Sequence, residues 1–103
     1  MTYCELLTSR KVSEDIELLL NRDVPHIVHR VLGEGEDAVV LSILDQQDMA
    51  FEDSDEPCAE IRLKGAAAIS EAQCDALKKA FYPVLAKFLN LSQDKIRFDY
   101  QRI

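Results

Sequence analysis

The chain has 103 residues, 48% of them hydrophobic and 30% charged, which suits one compact domain over 1–103 and excludes a disordered chain. A net charge of -7 with no cluster of Lys and Arg excludes nucleic acid as a partner and disfavours adsorption to anionic membranes. No apolar run is long enough to span a bilayer.

Tyr3 to Thr8 reads as a first strand, with Tyr3, Glu5 and Leu7 alternating against Cys4, Leu6 and Thr8. Val12-Ser13-Glu14-Asp15 opens a helix: Ser13 can accept from an early backbone N–H, and the acids favour the positive end. Ile16, Leu20, Val24, Ile27, Val28 and Val31 then recur at three- and four-residue steps, keeping one apolar face in register through Leu32. Pro25 falls inside that stripe and predicts a kinked helix, with Gly33 as its left-handed cap. Ala38 to Leu44, rich in β-branched residues, is the second strand.

The same order repeats. Cys58 to Lys64 alternates Ala59, Ile61 and Leu63 against Glu60, Arg62 and Lys64. Ser70 and Gln73 have the spacing of a capping box, and a second apolar stripe runs from Ala76 through Phe81 and Leu85 to Leu89. Pro83 lies inside it, and Asn90 can take the closing left-handed position. Lys95 to Gln101, alternating Ile96, Phe98 and Tyr100 with Lys95, Arg97 and Asp99, is the last strand. Two βαβ units with right-handed crossovers predict an α+β domain, with both helices on one face of a four-stranded mixed sheet. The other face carries Glu5, Glu60, Arg62, Lys64, Arg97 and Asp99, and can meet either water or further subunits.

Cys4, Cys58 and Cys74 are odd in number and include no Cys-x-x-Cys pair. They predict buried, reduced thiols and, with no basic-then-apolar signal at the N-terminus, a cytoplasmic protein. His26 and His29, near Asp23, lie beside the apolar stripe and predict a solvated helix face, not a metal site. Asp45, Asp48, Glu52, Asp53, Asp55 and Glu56 lack the glycine and final glutamate spacing of a calcium loop and read as a charged surface loop. Phe81, Tyr82, Phe88 and Phe98 are expected in the core or at subunit contacts.

The stretch Met49-Ala50-Phe51, four polar residues through Asp55, then Glu56-Pro57-Cys58-Ala59, resembles the tautomerase superfamily, and within it homologues of macrophage migration inhibitory factor. Leu91-Ser92-Gln93-Asp94-Lys95-Ile96 is similar to the segment before that family's last main strand. The resemblance runs in register from Met1 to about Ile103, with one short adjustment in the first half, and implies a homotrimer, with sheets inside, helices outside, and a site for a small organic ligand at each subunit boundary. In the family an N-terminal proline amine, freed by methionine removal, moves a proton in a keto–enol pair; no cofactor is implied.

That position here is Thr2. With Met1 retained, the Thr2 nitrogen is an amide without basicity. With Met1 removed, its amine would start near a pKa of ~7.7–8.0 and could act as a weak base, or its hydroxyl as a nucleophile. The family's substrate-binding lysine falls on Glu34, its backbone contact after the third strand on Ala66, beside Lys64, and its aromatic residue and asparagine on Arg97 and Asp99. Arg97 reads as a structural ion pair with Asp99 or Glu60, or as a binder of an acidic ligand. The chain stops at Ile103, before the family's pocket-closing extension, and Ile61 replaces the second cysteine of the redox motif of its cytokine members. These departures predict an altered pocket (Thr2, Glu34, Lys64, Ala66, Arg97 and Asp99) without proline-dependent tautomerase activity, in a binding or scaffold protein. The alternative is a tautomerase or isomerase that uses the Thr2 amine or the Arg97–Asp99 pair.

Overall fold

A computed structural model describes residues 1–51 and 54–103, so Glu52 and Asp53 of the acidic run lie outside the described residues. The elements follow the order β1 (Thr2–Thr8), α1 (Glu14–Leu32), β2 (Val39–Leu44), β3 (Ala59–Gly65), α2 (Glu71–Leu89) and β4 (Ile96–Arg102). The second, third and fourth strands each begin one residue later than alternation predicts. For β2 and β4 the cause is a single 3-10 turn before the strand. Ala38 N–H donates to Gly35 O and Lys95 N–H to Ser92 O, both at 2.9 Å, so those two residues close turns instead of opening strands.

The helix ends form as their sequences dictate. Ser13 Oγ accepts from Ile16 N–H at 3.3 Å, and Gly33, at φ 75°, returns its N–H to His29 O at 2.8 Å. Ser70 and Gln73 complete the capping box in both directions, at 3.0 and 2.9 Å, and Asn90 closes α2 at φ 55°. Each helix runs on as one 19-residue element across its proline. Packing compensates for the lost bond: Leu20, Val24, Ile27 and Val28 are buried on α1, and Leu77, Phe81, Leu85 and Leu89 on α2.

The sheet order is β2-β1-β3-β4, with β1 parallel to β2, antiparallel to β3, and β3 parallel to β4. Its two central strands therefore come from different repeats. Thr2, Cys4, Leu6 and Thr8 on β1 and Ala59, Ile61, Leu63 and Gly65 on β3 all face the helices and are buried. Fully burying a leucine of this set contributes about 1.5–3 kcal/mol. Phe81 and Phe98 stack at 6.0 Å between centroids, so the expectation of a core role holds for this pair. Cys4 and Cys58 are buried free thiols, whereas Cys74 on α2 is half-buried.

The opposite face of the sheet is the charged one. Arg62 bridges Glu60 at 2.9 Å and Glu5 at 3.8 Å, and exposed Tyr3 and Val40 lie beside them. No helix among the described residues is long and apolar enough to cross a membrane.

Candidate functional site

Thr2 opens β1 on the helix-facing side and is only 2% exposed. Its partner in the parallel register is Val39, which brings the start of β1 close to the end of α1. The left-handed turn at Gly33 reverses the chain there and delivers Glu34 onto Thr2. The Thr2 hydroxyl donates to Glu34 Oε2 in a short contact, and the Met1 α-ammonium lies 2.9 Å from Oε1. Both carboxylate oxygens are thus engaged. The Thr2 hydroxyl bond, followed by the bond from the terminal ammonium, holds the Glu34 carboxyl below the usual glutamate range. His29 Nδ1, 2.8 Å from the Glu34 carbonyl, ties the same loop to the last turn of α1.

These groups form one side of a cavity of about 270 Å³. The facing side is Gly65 to Ala68, with Ile69 and Gln73 from the start of α2. Tyr100, from β4, closes the floor, its hydroxyl donating to Ala67 O at 2.5 Å. Among the described residues lining the cavity, Glu34 is the one charged side chain. Cys4, two residues along β1, has its thiol pushed up to about 12, by burial first and by the Glu34 charge second.

The structure brings Thr2, Glu34 and Ala66 together and places Lys64, Arg97 and Asp99 elsewhere. Lys64 precedes Gly65, and strand alternation turns it to the charged face. There it lines a second cavity, of about 250 Å³, with Tyr3, Glu5 and Arg62. Arg97 pairs in register with Glu60, whereas the Thr2 end of the sheet lies at Gly65 and Arg102. Five residues of strand, about 16 Å, separate the two positions. Asp99 sits opposite Arg62 on the charged face. Within one subunit these three are therefore not walls of the Thr2 cavity.

Arg97 also departs from the ion pair expected of it. Its guanidinium lies 4.1 Å from the Phe51 ring centroid, a cation–π contact, while Glu60 is taken by Arg62. His26 reaches Glu36 at 3.7 Å, and no group of three metal-binding side chains occurs among the described residues. Tyr100 is the site residue that sequence reasoning missed. Its signal was present: it continues the Ile96 and Phe98 face of β4, along which burial falls from a buried Ile96 to a half-buried Tyr100.

The family model for macrophage migration inhibitory factor (MIF) matches residues 1–103. A search of curated proteins finds no match. Among solved structures, the chain is similar to Leishmania major MIF2, with a TM-score of 0.92 and 17% identity over 100% of this chain and 89% of that one. The macrophage migration inhibitory factor of Toxoplasma gondii gives 0.89 and 19% over 98% and 89%. The homologue from Prochlorococcus marinus gives 0.88 and 18% over 98% and 88%. At these identities the likeness is one of fold.

Proposed function

Because the chain belongs to the macrophage migration inhibitory factor family over residues 1–103, we propose that it keeps the family's assembly and pocket but not its proline-dependent keto–enol chemistry, and acts as a binding or scaffold protein. One observation carries this reading: Glu34, at the position of the family's substrate-binding lysine, grips both the Thr2 hydroxyl and the Met1 ammonium. A proton-abstracting amine must be neutral, and a carboxylate at this distance favours the charged form of any amine beside it. The same carboxylate repels the acidic substrates for which a lysine would be suited.

Family membership supports a homotrimer, and the charged sheet face fits one, with Arg62, Glu60 and Glu5 lining an inner channel. In that arrangement Arg97 and Asp99 could reach a pocket only from a neighbouring subunit. Free cysteines, two of them buried, support a reduced, cytoplasmic setting. Light scattering should give three times the chain mass.

The test is a phenylpyruvate-type keto–enol assay on protein whose N-terminus is verified by intact mass. The expected result is no rate above buffer. Turnover at the level of proline-bearing relatives, with Met1 retained, overturns the reading.

A second reading has one observation in its favour. A threonine hydroxyl donating to a carboxylate is the arrangement of a nucleophile beside a base, so Thr2 could serve an altered reaction after Met1 removal. Intact mass of the natively expressed chain separates the two: retained Met1 eliminates a Thr2 amine. The version built on Arg97 and Asp99 draws no support from a single subunit, because Arg97 is occupied by Phe51.

A further inference from the structure

The cavity at Thr2 differs from a carboxylate-binding site in the sign of its charge, its helix ends and its present occupant. Glu34 is the one charged side chain among the described lining residues. Its two oxygens already hold a hydrogen-bond donor and an ammonium, the latter at 2.9 Å. That ammonium is the chain's own, from Met1, and it demonstrates the fit of a primary amine at this spot. Leu32 and Gly33, at the C-terminal and therefore negative end of α1, lie beside it and favour a cation.

The facing wall offers little to an anion. The start of α2 would attract one, but its capping box already occupies the N–H groups of Ser70 and Gln73. The neighbouring Arg102 donates to Ala66 O at 3.2 Å and lines a different groove with Lys78 and Asp99. Ala68, Ile69 and Leu32 supply apolar surface for a small hydrophobic body.

We propose that the pocket between Thr2, Glu34 and Tyr100 binds small organic cations, a primary ammonium on a short apolar or aromatic body, in place of carboxylates. This rests on reading the pocket as a retained binding site, but its measurement is separate from catalysis. The ammonium seats on Glu34 and displaces that of Met1, and the apolar body lies against Ile69 and Ala68.

The test uses the full chain and two probes matched in shape and opposed in charge, 2-phenylethylamine and 3-phenylpropionate. Binding is followed by amide chemical shifts around 33–35 and 66–68. The amine should bind at least about tenfold more tightly than the acid, with the preference falling as salt is added. Acetylating the Met1 amine should strengthen amine binding by removing the competing ammonium. Glu34→Gln should abolish the preference and Glu34→Lys should reverse it, with unchanged circular dichroism showing that both variants fold. Equal or tighter binding of the acid, no amine binding to the acetylated chain, or amine binding indifferent to Glu34→Lys would each overturn the proposal. A keto–enol assay on the same samples is read independently: activity there defeats the non-catalytic reading and leaves the charge preference to the titration.

Discussion

Glu34 accepts the hydroxyl of Thr2 across 32 positions of sequence, and this bond closes the gap between the first strand and the turn after the first helix. The carboxyl is held below its ordinary range chiefly by that bond, so its proton affinity is lower in the folded state than in the unfolded one. For an acid with a depressed pKa, the stabilisation is present above the unfolded value of ~4.3 and is lost as pH falls through the lower, folded value. Wild type should therefore melt above Glu34→Gln at neutral pH, and the gap should close in acid below about pH 4.3. Parallel thermal melts between pH 7 and pH 3 check this. A gap that widens in acid would contradict the assignment.

Cys4 and Cys74 should part company in alkylation. The Cys4 thiol, pushed up to about 12 and 2% exposed, has almost no thiolate at pH 8 and no path for a reagent. Cys74 is half-buried on α2, within reach of solvent. Mass spectrometry after brief iodoacetamide treatment of native protein should find label at Cys74 well before Cys4. The order should disappear in denaturant.

Thr8 carries a hidden polar role. It is fully buried, donates to Cys58 O at 2.9 Å and accepts from Arg10 N–H at 3.1 Å, joining β1 to the entry of β3. Thr8→Val keeps the shape and removes both bonds. Cys58 O retains Ser9 N–H at 3.2 Å, but Arg10 N–H loses its acceptor. The expected cost is about 1–3 kcal/mol, read as a lower denaturation midpoint at unchanged slope.

What the sequence disclosed and what it withheld divide along the range of the interactions. Ser13, Gly33, Ser70 and Gln73 are capping residues whose partners lie within four positions, so their roles could be read directly, as could the stripes through Leu20 and Phe81. The membership of the pocket depended on register, which no local pattern encodes. Pairing Thr2 with Val39 and Tyr3 with Lys64 puts Ala66 near Thr2 and sends Arg97 to the far end. The family resemblance named Glu34 and Ala66, which line one cavity with Thr2, together with positions that one subunit keeps apart. Tyr100 escaped because its alternation with Asp99 marks it as core. Only the fold, which sets its half-buried ring beside Gly65 to Ala68 and Gln73, turns it into a pocket wall.

Gly65 and Tyr100 should behave as a coupled pair. A Cβ added at Gly65 would lie 2.7 Å from the Tyr100 hydroxyl oxygen and 3.5 Å from the ring carbon bearing it. The hydroxyl cannot swing away freely, because it is bound to Ala67 O at 2.5 Å. Gly65→Ala should then cost about 1–3 kcal/mol by overpacking, and Tyr100→Phe about 1 kcal/mol through the lost bond. In the double variant the closest contact is gone and the next is an ordinary one, so the methyl group is accommodated. Denaturant titrations of both single variants and the pair should show a combined cost smaller than the sum. Strict additivity would mean that the strand, and not the tyrosine, yields to the new side chain.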